Sequence, residues 1–213
     1  MGARRHARRP GSAARAVAIL TARPGVEPAA RVRLLDAASA PLATRPYFAE
    51  GDPGPNAASL AHVPDLLPAA LSFIGAALGG SWLPTRTQEI VILRVSALAG
   101  CRYCTAAHTV VALDSGLSLD QVRSLRGELP LAPAFDNAAD LAVIGWSDAV
   151  HAGSELDLPA ARELIAAHFE DGAVVELTVC ATATLMLNRY AKSLALPSAA
   201  QTLSRLASEG LAG

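Results

Sequence analysis

From Gln88 to Ala99 the chain reads Gln-Glu-Ile-Val-Ile-Leu-Arg-Val-Ser-Ala-Leu-Ala, charged only at Glu89 and Arg94, and it then meets Gly100. A run this long and apolar, closed by a residue suited to a left-handed helix end, predicts a buried helix over 87–99 that stops at Gly100. The following residues, Cys101-Arg102-Tyr103-Cys104-Thr-Ala-Ala-His108, start a second helix. Helical steps of about 100° per residue bring Cys101, Cys104 and His108 onto one face. If the two helices pack antiparallel about Gly100, Glu89 falls opposite Val111, about one turn from His108. An acid, an imidazole and two thiols then meet on one hairpin, in the order Glu89, His108, Cys104, Cys101.

That set of groups suits thiol redox chemistry. A thiolate is the nucleophile, and a Cys at its usual pKa of about 8.5 is mostly protonated at neutral pH. His108 accepts the proton, and Glu89 orients the ring and stabilises the imidazolium. A thiolate that attacks a peroxide O–O bond becomes a sulfenic acid, which a second thiol three residues away converts to a disulfide. Cys101 gains more from the helix dipole, but Cys104 has the base beside it, so Cys104 is expected to attack peroxide and Cys101 to resolve. Two other uses of the same residues stand beside this one. The pair can exchange disulfides with protein partners as a reductase or redox sensor, or Cys101 and Cys104 can hold a structural zinc with His108 and Glu89. Haem attachment is excluded, because Thr105 rather than His follows the second Cys.

The pattern Glu-x11-Cys-x2-Cys-x3-His on an Ala/Val/Leu background resembles the alkylhydroperoxidase D-like branch of the carboxymuconolactone decarboxylase superfamily. The resemblance is clearest from His62 to Leu119 and continues to about Pro197. It implies an all-α fold assembled as a homo-oligomer, trimer or hexamer, with peroxidase and disulfide reductase activity at the Cys pair. By position it makes Cys104 the peroxidatic thiol, Cys101 the resolving thiol, and Glu89 with His108 the proton relay. It implies a hydroperoxide substrate, an unidentified dithiol or protein reductant, and no cofactor beyond the Cys101–Cys104 disulfide. The best-studied members carry His before the second Cys. Tyr103 stands there, which resembles the peroxidase-related group. The decarboxylase branch lacks the Cys pair, which argues against lactone decarboxylation.

A second copy of the pattern is visible at an offset of 87 residues, where Glu176-Leu-Thr-Val-Cys-Ala-Thr-Ala-Thr-Leu-Met-Leu-Asn188-Arg189-Tyr190-Ala191 falls beneath the stretch from Glu89 to Cys104. Arg and Tyr recur, while both thiols and the histidine are replaced. Two helical hairpin units are expected, one catalytic and one kept for packing. The recurrence points to structural roles for Arg102 and Tyr103, and Glu176 is expected to pair with Arg189 as a buried acid.

Residues 1–26 hold six arginines and no acid, so the rest of the chain carries 12 basic against 19 acidic residues. A basic, disordered tail over 1–26 and a single helical domain over 27–213 are expected, with a catalytic core at about 62–119 and a degenerate second repeat at about 159–197. The apolar run Ala16–Leu20 is too short for the core of an export signal, and a reactive thiol pair suits a reducing compartment, so the expected location is cytoplasmic. Arg94 interrupts the best candidate for a membrane span. A short basic tail without interleaved aromatics does not suggest nucleic-acid binding. With 52% hydrophobic but only 4% aromatic residues, the core must be built from Ala, Leu and Val, including Cys180 as a small core residue.

Periodicity and punctuation predict helices over 28–39, 65–78, 87–99, 102–115, 118–126, 135–151, 159–168, 172–195 and 198–208. The Gly/Pro-rich stretch 45–59 reads as a loop, whose Tyr47 and Phe48 are placed to cover the site or a neighbouring subunit. His62, His151 and His168 read as capping or helix-end residues and His6 as part of the tail.

Overall fold

The computed structural model describes residues 29–79, 82–155 and 157–211; the basic stretch 1–26 lies outside them. Among the described residues the structure is helical and contains no strand. A 3-10 helix, Leu42–Phe48, precedes α1 (Gly54–Leu60), α2 (Leu67–Leu78), α3 (Thr85–Leu98), α4 (Arg102–Asp114), α5 (Leu119–Leu125), α6 (Ala138–Ala152), α7 (Leu158–Ala166), α8 (Asp171–Leu194) and α9 (Ala200–Ser208). No described helix is long and apolar enough to cross a membrane.

The apolar helix α3 lies at the centre, where Ile90, Val91, Ile92, Leu93 and Val95 are all fully buried. A helix apolar on every side must be covered on every side, and α4, α6 and α8 pack around it. Its two arginines face α6. The Arg86 guanidinium donates to both carboxylate oxygens of Asp140 at 2.9 and 2.8 Å, and Arg94 does the same to Asp148 at 2.6 and 2.9 Å. Partners in both pairs are 54 residues apart, so α3 and α6 run parallel in one register, with α4 and α5 supplying the crossover. The planar guanidinium fork suits such bidentate pairing and lets charge sit against an apolar helix.

Contacts between α3 and α8 also advance in the same direction. Gln88 Nε2 donates to Glu176 at 3.2 Å, and one end further on Ser96 Oγ donates to Asn188 Oδ1 at 3.1 Å. Glu176 accepts as well from the backbone N–H groups of Trp82 and Leu83, at 2.9 and 3.3 Å. This corrects the expected Glu176–Arg189 pair: thirteen helical residues put the two about 20 Å apart, and the acid instead satisfies donors just ahead of α3. The second copy also departs from the first at its break. Leu187 occupies the position equivalent to Gly100, so α8 runs on to Leu194 and turns only at Ala195, which takes a left-handed conformation (φ 51°).

Two expectations fail upstream. Residues 29–41 form an extended, turn-rich strap rather than a helix. The Arg31 N–H bonds to the Leu194 carbonyl and the Leu35 N–H to that of Ala58, while Asp36 Oδ1 accepts from the Ser39 N–H at 2.8 Å. Backbone groups engaged by other elements are not free for a helix. The expected loop over 45–59 contains the end of the 3-10 helix and most of α1. Pro53 and Pro55 start α1 rather than preventing it, since proline is tolerated in a first turn where N–H groups have no intrahelical partner. Phe48 is buried in a small second core with Leu35, Ala40 and Leu67, and Tyr47 stays partly exposed.

Candidate active site

Gly100 ends α3 with a φ of 62°, a conformation that glycine adopts without the clash a Cβ brings. Cys101 then lies outside the next helix, as the extended N-cap of α4 (φ −91°, ψ 92°), and its Sγ accepts the Cys104 N–H at 3.3 Å. Because Cys101 is not helical, its side chain can fold over the first turn. Cys101 and Cys104 are joined in a disulfide with their Cα atoms 5.3 Å apart. Both are nearly enclosed, at 1% and 7% exposure.

Glu89 is 4% exposed and sits in the middle of the central helix. A carboxylate there needs a partner, and His108 provides it, with Nδ1 3.2 and 3.1 Å from the two Glu89 oxygens. An Nδ1–H that donates to a carboxylate leaves Nε2 as the ring's acceptor. The hairpin thus brings together all four residues singled out from the sequence: Glu89 from α3, His108 from α4 one turn beyond Cys104, and the two cysteines at the junction.

A cavity lies on each side of the disulfide. On the Cys104 side, one of about 190 Å³ is lined by Cys104, His108 and Tyr103, by apolar residues of α2 and α3, and by Asn56, Ser96, Thr184 and Asn188. On the Cys101 side, one of about 210 Å³ is lined by Cys101, Arg31, Arg102 and Lys192. The disulfide separates an apolar chamber with a polar end from a cationic one.

Tyr103 and its counterpart Tyr190 both reach α1. The Tyr190 hydroxyl lies 2.9 Å from Ser59 Oγ. Burial pushes the Tyr103 phenol up in pKa, opposed by its hydrogen bond with the Asn56 backbone. These two tyrosines pin α1 across the Cys104-side cavity, while Arg102 is exposed at the rim of the other. The sequence reading missed Asn56, Ser96 and Thr184. Asn188 carried a faint signal: an amide in an otherwise apolar stretch, at the position that matches Cys101.

His62 Nε2 bonds to the Arg33 carbonyl at 2.7 Å, which fixes the strap, and His151 and His168 lie at or beyond the ends of α6 and α7 and line neither cavity beside the disulfide. Cys180 is fully buried, and desolvation, with Glu89 and Glu176 nearby, pushes its thiol up to about 12. Among the described residues no group of three or more His, Cys, Asp and Glu side chains is gathered to hold a metal ion.

Fold and site together define an all-helical protein centred on a Cys-x-x-Cys disulfide with a buried Glu–His pair beside it. The model of the carboxymuconolactone decarboxylase family matches residues 64–149, the stretch that contains all four site residues. An uncharacterised peroxidase-related protein from Silicibacter superposes with a TM-score of 0.68 at 20% identity, over 81% of this chain and 93% of that one. An alkylhydroperoxidase D core protein from Ralstonia eutropha, also described as peroxidase-related and uncharacterised, gives 0.67 at 20% identity, over 83% and 96%. A debrominase gives 0.60 at 18% identity, over 71% and 80%. These likenesses show a shared fold. No curated protein matches the chain.

Proposed function

We propose that this protein is a thiol peroxidase of the alkylhydroperoxidase type in which Cys104 meets the peroxide. One observation carries the reading: Cys104 shares a cavity with His108, whose Nδ1 is held by the buried Glu89 carboxylate. In the reduced protein the Cys104 thiol gives its proton to His108 Nε2, and the imidazolium is stabilised by Glu89. The first turn of α4 favours the resulting thiolate. Its Sγ attacks the terminal oxygen of a hydroperoxide; an S–O bond forms, the O–O bond breaks, and the alkoxide leaves as an alcohol with the proton held by His108. The Cys101 sulfur then attacks the Cys104 sulfenic acid. A disulfide forms and hydroxide leaves as water with the Cys101 proton. A dithiol or protein reductant returns two electrons and two protons, and the cationic chamber beside Cys101 suits an acidic one. No cofactor other than the disulfide takes part, and the setting is a reducing, cytoplasmic one.

The test is a thiol count by intact mass after alkylation, before and after one equivalent of hydroperoxide. Wild type should lose two thiols, mapped to Cys101 and Cys104, with a mass decrease of about two, restored by a dithiol. Cys104→Ser should abolish peroxide consumption, and Cys101→Ser should stop after one sulfenic acid. Equal residual turnover in both variants would sink the assignment of roles. Disulfide exchange with protein partners and no peroxide consumption would move the protein to the reductase or sensor reading.

A further inference from the structure

Two residues that line the cavity beside Cys104 each have a buried side-chain atom without a partner: Asn188 Nδ2, a donor, and Asn56 Oδ1, an acceptor. Buried amide atoms are nearly always satisfied, because leaving one unpaired forfeits its hydration. Asn188 is 1% exposed, and its own carbonyl is taken by Ser96, which turns the amide nitrogen to other partners. Asn56 sits on the helix that Tyr103 and Tyr190 hold in place. An unpaired donor and an unpaired acceptor thus belong to two residues in the wall of the chamber that a substrate of Cys104 must enter. Ser96, Thr184, Tyr103 and His108 line it beside apolar side chains such as Ile74, Leu78 and Ile92, and among the described residues no Lys or Arg does.

We propose that Asn188 and Asn56 form the head-group subsite of this enzyme, selecting compact, uncharged hydroperoxides. The inference rests on the peroxidase reading above. A hydroperoxyl group is complementary to the pair: its O–H donates to Asn56 Oδ1 and its oxygens accept from Asn188 Nδ2. When Cys104 attacks, negative charge grows on the departing alkoxide oxygen, and a fixed amide donor stabilises that charge in a site shielded from water. At about 190 Å³ the chamber is smaller than the roughly 300–1,000 Å³ that holds drug-sized ligands. A carboxylate finds no Lys or Arg among the described residues that line it, and the His108 imidazolium is already paired with Glu89, so a second carboxylate is disfavoured. The second copy of the sequence pattern, which has lost its thiols, therefore contributes a substrate-binding group from the position that matches Cys101.

The experiment is single-turnover oxidation of the fully reduced protein by tert-butyl hydroperoxide and by a long-chain fatty-acid hydroperoxide, followed by loss of free thiol. Wild type should react at least about tenfold faster with the compact, neutral substrate. Asn188→Leu keeps the branched shape and removes the donor, and it should slow the tert-butyl reaction by about tenfold to a thousandfold while the alkylation pH profile of Cys104 stays in place. Asn56→Leu gives an independent test if Asn188→Leu does not fold. Equal rates with the two substrates, or wild-type rates in the folded variants, would overturn the subsite. If wild type is inert to both peroxides, the peroxidase reading fails, and saturation-transfer NMR with tert-butyl alcohol decides the subsite separately. Binding lost in Asn188→Leu supports it, and binding unchanged overturns it.

Discussion

Glu89 is buried on the central helix and hydrogen-bonded to His108, so the imidazole's orientation depends on that carboxylate. Glu89→Gln keeps the shape and removes the charge, and His108→Ala removes the proposed base. Each should move the alkylation profile of Cys104 in the reduced protein to higher pH by roughly one unit or more, the scale of an opposite charge beside a titrating group. An unmoved profile in both would leave the pair with a packing role only. Cys180 behaves differently. Burial, reinforced by Glu89 and Glu176, raises its thiol to about 12 from 9.0, so the folded state holds the proton more tightly than the unfolded one. The stabilisation is complete below about pH 9 and declines as pH rises from there towards 12. Native protein at pH 8 should leave Cys180 unalkylated, and denaturant should expose it. Labelling of the native protein at the rate of a free thiol would refute its burial.

Helix packing explains why the site was legible in the sequence while its surroundings were not. The α3–Gly100–α4 hairpin is locally determined: an apolar run, a left-handed glycine and a fixed spacing place Glu89, His108 and both cysteines without help from distant residues. The strap over 29–41 and helix α1 are not. Their conformation depends on backbone bonds to Leu194 and Ala58 and on side chains of Tyr103 and Tyr190, partners that lie far along the chain and leave no local periodicity. Asn56 was hidden for the same reason, since a Gly/Pro-rich stretch gives no sign that it will be folded over a cavity. Glu176 shows how the second copy serves the first. It accepts from the N–H groups of Trp82 and Leu83 and from Gln88, all at the entry to α3. Glu176→Ala leaves these donors without that acceptor and should cost about 1–3 kcal/mol, read as a lower urea midpoint with an unchanged slope. A midpoint within error of wild type would show that water replaces the carboxylate at no cost.

The outer face of α8 carries an apolar stripe that the single chain leaves uncovered. Val175 is 62% exposed, Val179 38% and Met186 49%, and helical geometry puts the three within about 40° of one another. The Trp82 ring, itself 66% exposed, lies 3.5 Å from where a Cβ on Gly172 would stand and extends the stripe at the start of the helix. Thr182, also exposed, falls in the same row; exposed apolar side chains aligned on one helix face suit an interaction site, and the homo-oligomer that the family resemblance implies is the occupant expected to bury them. The opposite face of the same helix presents Thr184 and Asn188 to the cavity, so assembly on the stripe would brace the helix without entering the site. Light scattering of wild type should give a mass three or six times the 21.9 kDa of the chain, and Val175→Asp with Met186→Asp should shift it towards monomer. Because Glu89, Cys101, Cys104 and His108 all come from one chain, the monomeric variant should still lose two thiols to one equivalent of hydroperoxide. Monomeric wild type would remove α8 as an interface. A folded monomeric variant that no longer forms the disulfide would show instead that a neighbouring subunit completes the chamber.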